Sequence, residues 1–453
     1  MRAGQMLSLP EQIQMVVILS IPAILAQISN IIMQYIDASM VGRLGADASA
    51  AVGLISSTTW LTGGLCQGAA VGFTVQVAYR IGRSKPASAR ETVKYGLLIS
   101  LFFSLCLAGI AVLVHRHLPV WLGAGQEIRG NASDYFLIYG LTLPFLQIIY
   151  TAGGMLQCSG DMRTPGILHI LMCFLDVIFN YFLIFPERYF VWQGRRIFIP
   201  GAGLGVKGAA LGTALSVVIC ALLMLWKLLF RSQSLHLRKG EAWKFPVEDI
   251  RRDVKVSLPV MVSSMIMGLG YVAGTYIVAP LGTIAIAANS FAVTAESICY
   301  MPGYGIASAA TTIVGQARGA GRTKLMKELG YLALGLGIFS MTVMAVLLYI
   351  MAPAMMALLT PVSQVRTAGT AVLRLIVFAE PLFAASIVAE GIFRGLGKTR
   401  IPTALILICM WFIRIPLTAV LAGKMGLWGI WIGQGIELSI RGILFIVFLV
   451  KEG

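Results

Sequence analysis

Hydrophobic residues form long runs along the whole chain, separated at fairly regular intervals by short polar segments. Most runs reach about 20 residues, the length that an α-helix needs to cross the hydrocarbon core of a bilayer. Their polarity does not alternate at every second residue, as it would in the strands of an outer-membrane barrel. The pattern predicts twelve transmembrane helices, beginning near residues 14, 50, 92, 133, 164, 203, 253, 284, 325, 366, 401 and 427.

The composition supports an all-α polytopic membrane protein. Of the 453 residues, 58% are hydrophobic and only 12% are charged, whereas a soluble domain carries about 25% charged residues. The segment 1–10 lacks the apolar core of a cleavable signal peptide, so we expect the first run to remain as a membrane span.

The net charge of +16 is distributed along the chain in a way that predicts topology. Lys and Arg cluster in alternate loops, at residues 80–94, 231–255, 318–327 and 394–400, with one exception at 188–207. Short basic loops remain on the cytoplasmic side of a membrane. We therefore expect a multi-pass protein of the cell (plasma) membrane with both termini in the cytoplasm, in contact with lipid and without a nucleic-acid partner.

The chain contains an internal repeat. Pro22 recurs as Pro259, 237 positions later, and the same offset holds as far as Pro165 and Pro402. Beyond that point the offset falls to 221, because the first half carries 16 extra residues within 186–203, where we expect an external hairpin. The repeat predicts two parallel six-helix bundles. They comprise 1–230 and 250–453, joined by a polar cytoplasmic linker at 231–249.

A polar stripe lies on the first predicted helix. Its residues recur at spacings of three, four and three, which places them on one helical face: Gln27, Asn30, Gln34 and Asp37. The equivalent positions of the second repeat hold Ser264, Met267, Tyr271 and Gly274, so the scaffold does not require the stripe. An aspartate at mid-membrane costs roughly 2.5–3.5 kcal/mol and usually has a function. The alternative is that Asp37 lies at the membrane interface and ends the helix.

The fifth predicted helix carries a second polar face, formed by His169, Asp176 and Asn180. Their repeat equivalents are apolar: Ile406, Ile413 and Leu417. If the first and fifth helices face each other, Asp37, Asp176 and Asn180 form one buried site, in which a proton or a cation such as sodium must offset the paired carboxylates. The alternative for Asp176 and Asn180 is a structural contact between helices. We expect His169 near the cytoplasmic end.

The second half has its own ionisable residues. We expect Glu296 to face a central cavity between the two lobes, as a counter-charge for a cationic substrate, and Gln27, Asn30 and Gln34 to line the same cavity. Arg414 and Glu437 are positioned to pair between the last two helices, and we expect Glu380 and Glu390 near the surface. A GLGKT segment at 395–399 lacks the leading glycine of a phosphate-binding loop, and we find no enzyme or metal-binding motif in the sequence.

Several segments resemble the multidrug and toxic compound extrusion (MATE) family. They include YIDASMVGRLGADASAAVGL, GIASAATTIVGQARGAGR and AEGIFRGLGKTRIP, and the resemblance extends over nearly the whole chain. In the bacterial branch related to the DNA-damage-inducible member, the first-helix aspartate follows a bend-associated proline by fifteen residues, as Asp37 follows Pro22. That branch has Asn-x-x-x-Asp in its fifth helix, whereas this chain has Asp176 and Asn180 in the reverse order. Thr213 matches the family's threonine ligand.

The resemblance implies a secondary transporter, not an enzyme, that exports organic cations or amphiphiles by ion-coupled antiport through alternating access of two lobes. We expect a monomer whose only cofactor is the coupling ion. The reversed order of Asp176 and Asn180 favours protons over sodium, because proton sharing tolerates looser geometry than a cation cage. Two alternatives remain, namely a lipid-linked saccharide flippase and a membrane receptor or scaffold without transport activity.

Overall fold

The computed structural model describes residues 8–192, 195–238, 245–360 and 362–452, most of which are helical. The helices are α1 (Leu9–Gly42), α2 (Ala46–Gly82), α3 (Pro86–Val114), α4 (Leu118–Trp121), α5 (Gln126–Ser159), α6 (Arg163–Ile184), α7 (Gly205–Trp226), α8 (Val247–Val278), α9 (Thr283–Gly319), α10 (Thr323–Leu359), α11 (Ser363–Ile376), α12 (Glu380–Gly395), α13 (Arg400–Leu407), α14 (Ile415–Met425) and α15 (Leu427–Glu452). A π-helical segment, Lys227–Arg231, extends α7, and another, Ile408–Arg414, joins α13 to α14. A 3₁₀ turn, Ala279–Leu281, follows α8.

The prediction of a two-lobe helical membrane protein is confirmed. Within the described ranges ten helices are long and apolar enough to cross a membrane, or eleven if α11 and α12, bent by 63° at their junction, form one broken span. The one predicted span that is missing from this set is the second in the chain, near residue 50; it corresponds to α2, which has 37 residues but many Gly, Ser and Thr. These polar and small residues lower its hydropathy without preventing a helix.

The insertion between α6 and α7 forms a β-hairpin, in agreement with the prediction. Strands β1 (Pro186–Trp192) and β2 (Arg195–Ala202) pair antiparallel. Gly201 allows the second strand to pack against the end of α6, because a Cβ there would lie 2.4 Å from the carbonyl oxygen of Phe185. The hairpin therefore begins directly at the end of α6.

Helices α1–α7 form the first lobe and α8–α15 the second. In the first lobe, α5 packs on α2, α3 and α7, while α6 packs on α1 and α7. In the second, α9 packs on α10 and α12, and α15 on α12 and α14. Residues 239–244 of the predicted linker lie outside the described residues, and α8 already begins at Val247. Because α6 lies against α1 and α7, these three helices are placed to share a site.

The two lobes meet through equivalent positions of the repeat. A Cβ on Gly82 would lie 2.0 Å from the carbonyl oxygen of Gln316, and one on Gly319 would lie 2.0 Å from that of Tyr79. Gly319 and Gln316 follow Gly82 and Tyr79 by 237 positions each. The contacts are therefore reciprocal, as two bundles related by an approximate twofold axis require.

The lobes converge toward the end that carries the basic loops around 83–85 and 320–322, here called the basic end. A Cβ placed on each of three glycines of α2 would lie progressively closer to the nearest atom of α8. This distance is 3.1 Å for Gly64, 2.8 Å for Gly68 and only 1.9 Å for Gly72. Only glycine permits the closest of these approaches. The structure is thus closed at the basic end, and the lobes diverge toward the opposite end.

Candidate functional site

Three helices of the first lobe bring four predicted site residues together. The side-chain nitrogen of Asn180, on α6, donates to Asp37 Oδ1 on α1 at 2.7 Å and to Asp176 Oδ2 at 3.1 Å. The Asp176 carboxylate also lies beside Asp37 and beside Thr213 of α7. Asp176 and Asn180 are fully buried, whereas Asp37 is partly exposed. Asn180 therefore connects the partly exposed carboxylate of Asp37 to the fully buried carboxylate of Asp176.

The helix–helix contact around Asn180 depends on Gly212, which sequence reasoning missed. A Cβ on Gly212 would lie 2.1 Å from Asn180 Oδ1. The glycine lets α7 approach α6 closely while the Asn180 amide remains turned toward Asp37. Its signal in the sequence is the small-residue segment GAALGTALS, which also contains Thr213.

The charges at this site are incompletely compensated by the protein. Both amide protons of Asn180 are used by the two carboxylates. Within the described part of the chain, Asp176 Oδ1 and Asn180 Oδ1 are buried and receive no hydrogen bond. Tyr135 of α5 lies near both carboxylates. Two adjacent carboxylates with spare oxygen lone pairs can share a proton or bind a small cation.

The rest of the polar stripe lies along α1 before Asp37. Gln27 and Asn30 are partly exposed and Gln34 is exposed. The helix continues to Gly42, so Asp37 does not end it. Pro22 lies inside α1 and packs against α6, where a Cβ on Gly166 would be 2.9 Å from the Pro22 carbonyl oxygen.

His169 does not join the site. It lies six residues after the start of α6 and is partly buried, and its Nδ1 has no hydrogen-bond partner among the described residues. It therefore lies near the start of α6, close to Arg163, and its position near the cytoplasmic end stays a prediction.

A second polar network lies inside the other lobe. Gln434 donates to Glu296 Oε1 at 3.3 Å and accepts from Arg414 at 2.6 Å. Glu437 lies 3.9 Å from Arg414, as predicted, and 3.2 Å from Arg441. Glu296 is only 3% exposed, so the prediction that it faces the cavity is wrong for this conformation. Its carboxylate is held inside the lobe by Gln434 and the nearby Arg414.

The expectation that Glu380 lies near the surface is wrong. Glu380 is fully buried at the start of α12, just after the bend from α11, and it lies beside Glu296 and Cys299. Among the described residues neither of its carboxylate oxygens receives a hydrogen bond in acceptable geometry. Glu390 is partly buried and pairs with Arg394 one turn later on the same helix.

The fold and this site define a class of protein: a two-lobe helical membrane protein with two adjacent carboxylates in one lobe, of which that of Asp176 is fully buried. Comparison with known sequences identifies the family. The MatE family profile matches residues 22–182 and again 259–420, in step with the repeat. The chain therefore belongs to the MatE family and is a transporter rather than an enzyme.

Curated relatives extend over nearly the whole chain. A protein of Thermotoga maritima named probable multidrug resistance protein NorM is 24% identical over 449 residues, which cover 98% of this chain and 93% of the relative. The protein of the same name from Brucella suis is 26% identical over 449 residues, which cover 96% of this chain and 92% of the relative.

Solved structures of low sequence identity share the fold. The outward-facing conformation of a multidrug resistance MATE family transporter matches with a TM-score of 0.90 and 20% identity, covering 97% of this chain and 96% of that one. A mutant of the Vibrio cholerae MATE transporter VcmN matches with a TM-score of 0.89 and 17% identity, covering 98% and 97%.

Proposed function

We propose that this chain exports amphiphilic or cationic small molecules by antiport against protons, with sodium as the alternative coupling ion. The observation that carries the proposal is the bridge from the Asn180 amide to Asp37 and Asp176. It connects the partly exposed carboxylate of Asp37 to the fully buried carboxylate of Asp176, in helices that belong to one lobe.

The coupling ion acts by neutralising this site. When Asp37 and Asp176 are both ionised, their repulsion is opposed by the Asn180 amide and the Thr213 hydroxyl. A proton shared between them removes the repulsion and permits α1 to pack more closely on α6. The donor set also offers oxygens to sodium, from Asp37, Asp176, Asn180 and Thr213. Each entering positive charge contributes about 2.3 kcal/mol per 100 mV of membrane potential.

The same site links ion entry to substrate release. Asp37 lies on the face of α1 that carries Gln27, Asn30 and Gln34, so a bound cationic substrate is attracted by the ionised carboxylate. Protonation of Asp37 removes that attraction, which is the exchange that antiport requires. The names of the NorM relatives support a multidrug substrate range.

The closure of the basic end supports a direction for the proposed transport. We take this end as cytoplasmic, because short loops rich in Lys and Arg remain on that side. The conformation described here is then outward-facing, and rocking of the lobes about their interface opens the cavity to the cytoplasm. We expect a monomer embedded in the plasma membrane, with both termini inside.

Efflux of a fluorescent cation in inverted membrane vesicles tests the proposal. Vesicles that contain the wild-type chain should accumulate the dye when a pH gradient, acid inside, is imposed. Vesicles that contain Asp37→Asn at equal abundance should accumulate no more than vesicles without the protein. Equal accumulation by the variant and the wild type would overturn the coupling role, and absence of accumulation by the wild type under both proton and sodium gradients would overturn the transport function.

A further inference from the structure

Polar contacts join α8 to the first lobe at the basic end. Asp249 and Arg80 of α2 form an ion pair at 2.7 Å between Asp249 Oδ2 and the guanidinium. One helical turn later, Tyr95 of α3 donates its hydroxyl to Asp253 Oδ2, also at 2.7 Å. Tyr95 and Asp253 are buried, at 0% and 1% exposure. Both contacts join one lobe to the other.

A third contact continues the series along α8. The Ser257 hydroxyl donates to the carbonyl oxygen of Ala69 at 2.9 Å and accepts from the backbone nitrogen of Gly72 at 2.9 Å. Ser257 is buried, and Gly72 allows the approach. At spacings of four residues, Asp249, Asp253 and Ser257 share one face of α8.

The internal repeat shows that this arrangement is specific to one half of the interface. The equivalents on α1 are Gln12, Val16 and Ser20. Gln12 does bond across the lobes, to Glu328 at 2.9 Å. Val16 has no polar side chain, and the Ser20 hydroxyl donates at 2.7 Å to the Val16 carbonyl oxygen within its own helix.

We propose that Asp249, Asp253 and Ser257, with their partners Arg80, Tyr95, Ala69 and Gly72, form the latch that holds the basic end shut, and that α8 rather than α1 carries it. The proposal rests on the alternating-access transport proposed above. These contacts must break each time the cavity opens to the cytoplasm, so they set the balance between the two conformations.

The physical reason is the difference in solvation between the two states. In the closed state the latch groups are buried, and a buried polar group that loses its partner is costly. When the lobes separate at this end, water can replace each partner. Removing one latch group therefore penalises the closed state and leaves the open state nearly unchanged.

Two serine substitutions separate the latch from general packing. Ser257→Ala and Ser20→Ala remove the same hydroxyl at equivalent, equally buried positions, but only Ser257 bonds across the interface. Loss of one hydrogen bond should raise the ratio of open to closed conformers roughly fivefold for Ser257→Ala. For Ser20→Ala the ratio should change less than about twofold, because the lost bond lies within α1.

The ratio of open to closed conformers is measured by double electron–electron resonance between spin labels at positions 87 and 323. Both are exposed residues beside the basic loops of the two lobes. The labels are introduced as Ala87→Cys and Thr323→Cys, after Cys106 and Cys173, the two cysteines that are not buried, are replaced by alanine. Tyr95→Phe serves as a second latch variant. It should also raise the long-distance population, because it leaves the buried Asp253 carboxylate without the tyrosine hydroxyl.

Equal distance distributions for Ser257→Ala, Tyr95→Phe and Ser20→Ala would overturn the latch, as would a larger shift for Ser20→Ala than for Ser257→Ala. The measurement needs no substrate and no ion gradient. A shift toward the open form in a chain that exports nothing would therefore overturn the proposed transport function but support the latch. An unshifted distribution in a chain that exports dye would overturn the latch alone.

Discussion

Asn180 and Asp37 lie 143 positions apart in the chain, yet the amide of the first donates to the carboxylate of the second at 2.7 Å. The same amide donates to Asp176, so one side chain connects two acidic residues on different helices. Any change in the charge of either carboxylate therefore acts on the contact between α1 and α6. This connection is the physical basis for coupling an ion to a helix movement.

Asp37→Asn should abolish ion-driven export and leave the fold intact. The substitution replaces one of two adjacent carboxylates by an amide that can donate to Asp176, so their repulsion disappears. We expect the melting temperature of the purified variant to equal or exceed that of the wild type. A variant that melts well below the wild type would show that the ionised Asp37 stabilises the fold.

Gly212→Ala should impair export while the chain still inserts and folds. The new methyl group would meet Asn180 Oδ1 at 2.1 Å and displace the amide from the carboxylates. Gly53→Ala on α2 is the control, because its Cβ would meet nothing within 4 Å. Dye export should fall at least about tenfold in the first variant and remain near the wild-type rate in the second. Equal rates in the two variants would argue against a role for the Asn180 position.

Glu380→Gln and Glu437→Gln should have opposite effects on stability, although both residues are fully buried in the same lobe. Glu437 pairs with Arg441 and Arg414, and its neutralisation leaves buried cations less compensated. Breaking a buried pair costs about 3–5 kcal/mol. Glu380 lies beside another acid, so its neutralisation removes repulsion.

Thermal melting in detergent measures the difference. Glu437→Gln should lower the melting temperature by several degrees, and Glu380→Gln should leave it unchanged or raise it. A fall of the same size in both variants would contradict this account of the second-lobe network.

The basic loops should be accessible only from the cytoplasm. A cysteine introduced at Lys85 should react in intact cells with a membrane-permeant maleimide but not with an impermeant one. A cysteine at Glu127, at the start of α5 and therefore at the opposite end, should react with both. Labelling of position 85 by the impermeant reagent would invert the topology and with it the direction of transport.

Much of the fold could be predicted from the sequence, because its two signals are strong and independent. Long apolar runs give the spans, and the pairing of Pro22 with Pro259 gives the two lobes. The grouping of Asp37, Asp176 and Asn180 followed from the loss of polarity at their repeat equivalents. That comparison distinguishes residues that the scaffold needs in both halves from polar residues that are candidates for function in one half.

Other features depend on packing that no local pattern encodes. Glu380 precedes a proline and was expected near the surface, but the bend between α11 and α12 places it inside the lobe. The small-residue segment around Gly212 does not by itself distinguish it from the other glycines, because its role depends on its distance to Asn180 in the fold. The contacts of the proposed latch on α8 could not be predicted from the sequence either. Asp253 and Tyr95 are 158 positions apart and come into contact only when the two lobes do.

The most direct test of the central claim is export by the purified chain in proteoliposomes, with Asp37→Asn as the control. Dye movement is followed first against a pH gradient at zero sodium, then against a sodium gradient at fixed pH. The account predicts that the pH gradient alone drives export by the wild type, that sodium is not needed, and that Asp37→Asn exports under neither condition. Export that requires sodium and ignores the pH gradient, or undiminished proton-driven export by Asp37→Asn, would contradict it.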